Sequence, residues 1–159
     1  MEPILRVKDL SKSFSRAGKN EFFAVDHVSF DVMPGEILGI VGESGSGKST
    51  IAKLITRQID ATTGTIEIDG QDITKLTGRQ LIPVYAKIQM VFQAPTGSFD
   101  PRRTLGDGIC ESLRNKGVSK AEREAKARGL LEQCGLPGGF LERYPHQVSG
   151  GQCQRAAIA

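Results

Sequence analysis

Polar and apolar residues alternate in several stretches of the first half of the chain. The clearest stretch places Val28, Phe30 and Val32 on one side and Ser29 and Asp31 on the other. A period of two residues is typical of a strand with one buried face, because successive side chains of a strand point to opposite sides. The strands predicted on this basis are Ile4–Val7, Phe22–Val32 and Thr65–Ile68.

Two further stretches are apolar with few interruptions. They are Ile37–Val41 and Lys87–Gln93, and each is bounded by turn-forming residues. Short apolar runs of this kind are typical of strands that are covered on both faces. Both stretches are therefore predicted to be buried strands, whereas the polar, basic stretch 10–21 is predicted to be a loop or hairpin.

The period changes to that of a helix in three places. Thr104 and Ser119 are each followed three residues later by an acidic residue, which is typical of a helix start. Gly117 and Gly135 are predicted to end these two helices. The apolar positions that fall on one helical face are Ile51, Leu54, Ile55 and Ile59 in the first helix, Leu105, Ile109 and Leu113 in the second, and Ala127, Leu130, Leu131 and Cys134 in the third.

A candidate phosphate-binding sequence separates the first buried strand from the first helix. Gly42–Thr50 reads Gly-Glu-Ser-Gly-Ser-Gly-Lys-Ser-Thr, which matches G-x-x-x-x-G-K-[ST]. Glycines let the backbone curl so that its N–H groups point at an anion, and a helix start adds to the positive field. Lys48 is predicted to reach the β- and γ-phosphates, and Ser49 to ligate Mg²⁺. The alternative, a chance glycine-rich turn, is disfavoured by the strand before it and the helix after it.

Charge and composition limit the classes of partner. The 159 residues include 21 basic and 18 acidic side chains, and a net charge of +3 is too small to indicate a nucleic-acid or anionic-membrane surface. The three cysteines form no C-x-x-C pair, so no zinc site or disulfide framework is expected, and a reduced cytosolic compartment fits. The sequence has no signal peptide and no apolar run that could cross a bilayer.

A second glycine-containing motif, Val148–Gln152, follows the helical segment. It reads Val-Ser-Gly-Gly-Gln, and the residues after it are predicted to form a helix. A serine, two small residues and exposed backbone amides at a helix start could contact a phosphate. By itself, however, this stretch favours the alternative of an N-cap followed by flexible residues.

The two motifs, in this order and with Gln93 at a strand end between them, resemble the ATP-binding subunit of ABC transporters. Val-Ser-Gly-Gly-Gln is similar to the signature motif of that family, usually Leu-Ser-Gly-Gly-Gln. Further stretches resemble the importers of oligopeptides, dipeptides and nickel. They are Val41–Lys48, Ser98–Arg102 and Tyr144–Gln147.

The resemblance implies a set of site residues. Phe14 resembles the aromatic residue that stacks on adenine, and Gln93 the glutamine that senses Mg²⁺ and the attacking water and communicates with the membrane partner. Lys48 and Gln93 are the implied catalytic residues, and Ser49 and Gln93 the implied Mg²⁺ ligands. The implied ATP-binding residues are Phe14, Gly42, Ser44, Gly45, Gly47, Lys48, Ser49, Thr50, Gln93, Ser149, Gly150, Gly151 and Gln152.

The resemblance also implies a fold and partners. The fold is an α/β P-loop NTPase core of the ABC type, with an N-terminal antiparallel β subdomain and a helical subdomain. The implied parts are 1–95 for the β subdomain and phosphate-loop core, 100–147 for the helical subdomain, and 148–159 for the signature and the start of its helix. The implied partners are a second nucleotide-binding subunit, which pairs head to tail around two ATP molecules, and membrane permease subunits at the cytoplasmic face of the membrane.

One departure from the family pattern concerns catalysis. The family has an apolar strand that ends in Asp, followed by a catalytic Glu and later a switch His, and the 159 residues contain no Asp-Glu pair. We therefore expect an incomplete nucleotide-binding domain that binds ATP weakly and hydrolyses it little. The alternatives are a non-hydrolytic regulatory module and a non-transport ABC ATPase; a small-molecule kinase is disfavoured by the second motif.

Overall fold

The computed structural model describes residues 2–15, 21–92, 97 and 99–159. The chain divides into two compact units, Met1–Met90 and Val91–Ala159. The first unit contains a sheet, the phosphate loop and its helix, and the second is helical. Each unit has its own apolar core.

The sheet of the first unit has four strands in the order β2-β1-β3-β4, and all of its strand pairs are antiparallel. The prediction of a strand over Phe22–Val32 is confirmed to the residue. The strands are β1 (Leu5–Phe14), β2 (Phe22–Val32), β3 (Thr63–Ile68) and β4 (Gln71–Asp72).

The first strand is longer than predicted. Of the two alternatives for 10–21, residues 10–14 fit the hairpin and not the loop, because they belong to β1 and pair with β2. The sequence of β1 shows no regular alternation of polar and apolar residues, because its pairing with β2 and with β3 shifts register near Asp9. Asp9 has a positive φ of 45°. The irregular stretch is held by side chains of β1 and β2. Ser29 Oγ accepts from the Asp9 amide at 2.8 Å, and Ser11 Oγ accepts from the His27 amide at 2.9 Å.

Helix α1 (Lys48–Ile55) covers the sheet with one face. Ile51 and Leu54 of this helix are buried, as the helical period predicts. They join a core of branched aliphatic side chains, each of which stabilises the fold by roughly 1.5–3 kcal/mol when fully buried. The other members of this core are Val7, Leu10, Val25, Ile66, Ile68, Ile73, Leu81 and Val84.

Both predicted buried strands are wrong. Residues 37–41 and 88–92 adopt no strand, and the side chains of Ile37 and Val41 are 96% and 95% exposed. A strand forms only against a hydrogen-bonding neighbour. In the described part of the chain, the sheet consists of β1 to β4 and none of them lies beside either stretch.

A buried arginine holds the end of α1 against the segment that follows β4. The Arg57 guanidinium donates to Asp60 Oδ1 at 2.9 Å and to the Leu76 carbonyl at 3.1 Å. Beyond Leu76 the chain forms a 3₁₀ turn, Gly78–Leu81, and helix α2 (Ile82–Tyr85). The sequence pattern did not indicate that this arginine is buried.

The second unit is built from short helices. Its apolar core includes Leu105, Ala127, Leu131, Phe140 and Leu141. The helices are α3 (Leu105–Ile109), α4 (Glu111–Asn115), α5 (Lys120–Gln133) and α6 (Gly150–Ile158), with 3₁₀ turns at Gly138–Glu142 and Pro145–Gln147. None of the helices in the described residues is long and apolar enough to cross a membrane.

Both predicted helix starts are confirmed. The Thr104 hydroxyl accepts from the Asp107 amide at 3.2 Å, and the Ser119 hydroxyl accepts from the Glu122 amide at 3.3 Å. The helix that begins after Thr104 is not continuous, however. It breaks at Cys110, which separates α3 from α4.

Burial protects two of the three cysteines. Desolvation raises the pKa of the Cys110 and Cys153 thiols above the ordinary value, so less thiolate forms near neutral pH. Cys134 is only half-buried. We expect a disulfide reagent at pH 8 to modify Cys134 first, and Cys110 and Cys153 mainly after denaturation. Mass spectrometry of peptides from a time course would contradict this if the three thiols reacted at equal rates.

Candidate nucleotide-binding site

The phosphate loop takes its shape from two glycines with left-handed backbone conformations. Gly45 has a φ of 85° and Gly47 a φ of 91°. Gly47 is the N-cap of α1, whose first turn contains no acidic residue. The loop closes through a hydrogen bond from the Ser46 amide to the Glu43 carbonyl at 3.2 Å. The result is an exposed turn that leads into a helix N-terminus.

Gly47 also packs directly against strand β2. A Cβ at this position would lie 2.1 Å from the Ala24 carbonyl oxygen and 3.5 Å from Val25 Cγ2. Atoms this close exclude any side chain. The second fixed glycine of the motif is therefore required by packing as well as by its φ.

Lys48 folds back over the loop. Its ammonium donates to the Gly42 carbonyl at 2.7 Å, the Glu43 carbonyl at 2.5 Å and Ser46 Oγ at 3.3 Å. These three acceptors use all three ammonium hydrogens. The contacts fix a positive charge within the curl of the loop, at the first residue of α1, and a phosphate oxygen that binds this ammonium has to replace at least one of the three acceptors.

The remaining predicted loop residues face solvent to different extents. Ser44 and Ser49 are exposed, and Thr50 is half-buried in the first turn of α1. Gly42 is open to solvent, but a Cβ there would lie 2.7 Å from Ser46 Oγ. The loop thus offers small residues, a helix N-terminus and a lysine, which together fit a polyphosphate, and a serine hydroxyl that fits a ligand of Mg²⁺.

An aromatic pair lies at the end of the β1–β2 ladder. Phe14 and Phe22 are cross-strand partners, and their ring centroids are 5.9 Å apart with an interplanar angle of 29°. The Lys12 ammonium is 5.2 Å from the centroid of the Phe14 ring. Both phenylalanines are substantially exposed, at 39% and 51%.

This pair is close to the phosphate loop along β2. Phe22 precedes Ala24 by two residues, and the Ala24 carbonyl touches Gly47. At a rise of about 3.3 Å per strand residue, Phe22 lies roughly 7 Å along the strand from that contact. Strand β2 therefore carries one ring of the aromatic pair and also contacts the phosphate loop. Phe14 was predicted as a site residue and Phe22 was not, because only the pairing of β1 with β2 brings Phe22 opposite Phe14.

The Val-Ser-Gly-Gly-Gln motif begins helix α6 in the second unit. The Ser149 hydroxyl accepts from the Gln152 amide at 3.3 Å, and the Gln152 side-chain oxygen accepts from the Ser149 amide at 2.9 Å. This reciprocal pair is a capping box. Gly150 and Gly151 are exposed, and a Cβ on either would meet nothing within 4 Å.

The capping box leaves one function of the serine available. A hydroxyl that accepts a hydrogen bond from an amide can still donate its own hydrogen to an anion. The Gln152 side-chain oxygen accepts a hydrogen bond in the cap, and the NH₂ group of the same side chain can donate to an anion. In this unit, Ser149, the Gln152 side-chain NH₂ and the amides of the first turn of α6 are therefore the groups best placed to contact a phosphate.

Ser149→Ala is expected to lower the free energy of unfolding by about 1 kcal/mol, because the helix loses its N-cap. Gln152→Glu is the matched variant that keeps an acceptor for the Ser149 amide and is expected to retain near wild-type stability. Urea denaturation followed by circular dichroism measures both. Equal stability of Ser149→Ala and the wild type would contradict the role of the cap.

Gln93 lies outside the described residues. Among the residues that the structure describes, no group of three or more His, Cys, Asp or Glu side chains could hold a metal ion.

The comparisons with known proteins agree with both motifs. The family model described as "ABC transporter" matches residues 25–159, which include the phosphate loop and the signature. The chain belongs to the ABC transporter family. Its structure resembles the solved "Dimeric structure of a post-hydrolysis state of the ATP-binding cassette MJ0796 bound to ADP and Pi", with a TM-score of 0.89 and 31% identity over 97% of this chain and 67% of that one. The α/β ABC fold expected from the sequence is thereby confirmed.

Two curated relatives are named as ATP-binding proteins, one of oligopeptide transport and one of glutathione import. The chain is 43% identical to "Oligopeptide transport ATP-binding protein OppF" of Streptococcus mutans, over 98% of this chain and 51% of the relative. It is 44% identical to "Glutathione import ATP-binding protein GsiA" of Salmonella paratyphi A, over 99% of this chain and 26% of the relative. The chain thus spans about half the length of OppF and about a quarter of GsiA.

Proposed function

We propose that this chain binds ATP as part of the energy-coupling subunit of an ABC transporter. The observation that carries the proposal is the contact between the phosphate loop and β2. It places the cradle of Gly42–Thr50 on the strand that also carries one ring of the Phe14–Phe22 pair. One molecule with an aromatic base and a polyphosphate chain fits this combination of groups.

Each group has a distinct role in the proposal. The Phe14 ring stacks on the base, because a π-face accepts a base without hydrogen-bond matching. Lys48 and the loop amides around Gly45 and Gly47 bind the β- and γ-phosphates, and Ser49 ligates Mg²⁺. The metal would supply neutralisation of phosphate charge. Gln93 is proposed as a further Mg²⁺ ligand on the family resemblance alone.

The signature is proposed to act in a dimer. Ser149, with the amides of Gly150 and Gly151, would contact the γ-phosphate held by the phosphate loop of a second subunit. The solved relative described above is titled a dimeric structure with ADP and Pi, which supports this arrangement. Gln152 accepts from the Ser149 amide through its side-chain oxygen, and its side-chain NH₂ group is proposed to donate to the same phosphate.

The transported substrate is proposed from the relatives. OppF and GsiA are named for oligopeptide transport and glutathione import, so a peptide or a related small solute is the proposed cargo class. Membrane permease subunits are the proposed partners, which places the chain at the cytoplasmic face of a membrane. The transmission route proposed from the resemblance includes Gln93 and the residues that follow it up to Thr104.

A non-hydrolytic role is the second candidate. Phosphoryl transfer needs Mg²⁺ held from two sides and an oriented water. The 159 residues contain no Asp-Glu pair to supply the acidic side of such a site. Binding of ATP is the activity that the phosphate loop supports best for this chain, and hydrolysis coupled to transport is proposed for the whole subunit.

Isothermal titration of the purified chain with ATP, ADP and AMP in the presence of Mg²⁺ tests the proposal. We expect ATP to bind more tightly than ADP, and AMP to bind weakly, because the loop contacts the β- and γ-phosphates. Equal affinity for AMP and ATP, or no binding of any of the three, would overturn the proposed site.

A further inference from the structure

We propose that Phe22 is a positioning residue that holds the Phe14 ring in place and so strengthens its stacking on a nucleotide base, most of all on a bicyclic purine. The inference rests on the proposed function, because it assigns base selectivity to the same site. Its starting point is the cross-strand pairing of the two residues, whose rings stack at 5.9 Å and 29°.

An isolated phenylalanine in the position of Phe14 would be poorly ordered. Phe14 is the last residue of β1, and its ring is 39% exposed. An exposed side chain at a strand end exchanges among rotamers, and ordering it on ligand binding costs entropy. A stacked neighbour across the ladder limits Phe14 to one orientation before the ligand arrives, and such preorganisation improves affinity.

The position of the pair gives Phe22 a role in selectivity. The pair lies close to the strand contact with Gly47, so a nucleotide whose phosphates occupy the loop brings its base toward the rings. Because Phe22 stacks against one face of the Phe14 ring, the base is proposed to stack on the other face, where a bicyclic purine gains more contact than a single-ring pyrimidine does.

Phe23 provides a matched control within the same strand. It is 52% exposed, against 51% for Phe22, so its truncation removes a similar exposed aromatic surface. It pairs with Ser13 rather than with Phe14, and side chains of neighbouring strand residues point to opposite faces. Among the described residues, Phe23 stacks on no other ring.

The experiment measures the dissociation constants of ATP, CTP and inorganic triphosphate for the full 159-residue chain and its variants. Phe22→Ala and Phe22→Leu are expected to weaken ATP binding by about 3- to 10-fold and to reduce the preference for ATP over CTP. Their affinity for inorganic triphosphate is expected to stay within about twofold of the wild type. Phe22→Tyr, which keeps a ring, and Phe23→Ala are expected to retain the wild-type preference.

Each result has one interpretation, once circular dichroism has confirmed that a variant is folded. Unchanged ATP affinity in Phe22→Leu, or an equal loss in Phe23→Ala, would overturn the inference and leave the proposed function standing. The inference would likewise be overturned, and the proposed function left standing, if Phe22→Leu lost affinity for inorganic triphosphate by the same factor as for ATP. A wild-type chain that binds neither ATP nor inorganic triphosphate would overturn the proposed function, and the inference with it.

Discussion

Replacing Lys48 with alanine is expected to weaken ATP binding by about 10- to 100-fold. A hydrogen bond to a charged group contributes roughly 1.5–3 kcal/mol, and about 1.4 kcal/mol corresponds to a tenfold change in affinity. The Lys48 ammonium lies among the Gly42 and Glu43 carbonyls and Ser46 Oγ, within the curl of the loop. The variant keeps the loop backbone and removes the charge that the phosphates would meet.

Lys53→Ala is the matched control for Lys48→Ala. Lys53 is an exposed lysine in the last turn of the same helix, so both variants lower the net charge by one and place a strong helix former in α1. Isothermal titration with ATP distinguishes them, and Lys53→Ala is expected to bind like the wild type. Loss of affinity in both variants would indicate a general electrostatic effect, and loss in neither would remove Lys48 from the site.

Features that depend on neighbouring residues in the chain were predicted well. Phe22–Val32 was predicted as a strand because Val28, Phe30 and Val32 alternate with Ser29 and Asp31. The helix starts at Thr104, Ser119 and the signature Ser149 were predicted because a capping hydroxyl reaches an amide only three residues away. The phosphate loop belongs to the same class, since its shape follows from glycines at fixed positions.

Features that depend on distant partners were predicted less well. An apolar run such as Ile37–Val41 is buried only if other elements cover it, and hydrophobicity alone does not supply them. The extension of β1 was missed because its register shifts break the alternation that a periodic pattern detects. Strand pairing likewise decides which ring stacks on Phe14, so Phe22 became recognisable only from the ladder.

The phosphate loop packs against β2 through Gly47, so a substitution at Gly47 is expected to have a large effect on stability. Gly47→Ala is expected to lower the free energy of unfolding by about 2–5 kcal/mol. A left-handed φ costs alanine roughly 1–2 kcal/mol, and inserting a carbon into occupied space adds roughly 1–3 kcal/mol. Both costs apply at Gly47, because its φ is 91° and the new Cβ would lie 2.1 Å from the Ala24 carbonyl oxygen.

Gly45→Ala separates the two contributions to the effect at Gly47. Gly45 has a φ of 85°, but a Cβ there would meet nothing within 4 Å, so only the backbone cost of about 1–2 kcal/mol applies. Urea denaturation of the two variants gives the difference directly. Equal destabilisation would show that the loop does not depend on its contact with β2. A larger loss in Gly47→Ala would show that the contact with Ala24 fixes the start of α1, and with it the position of Lys48.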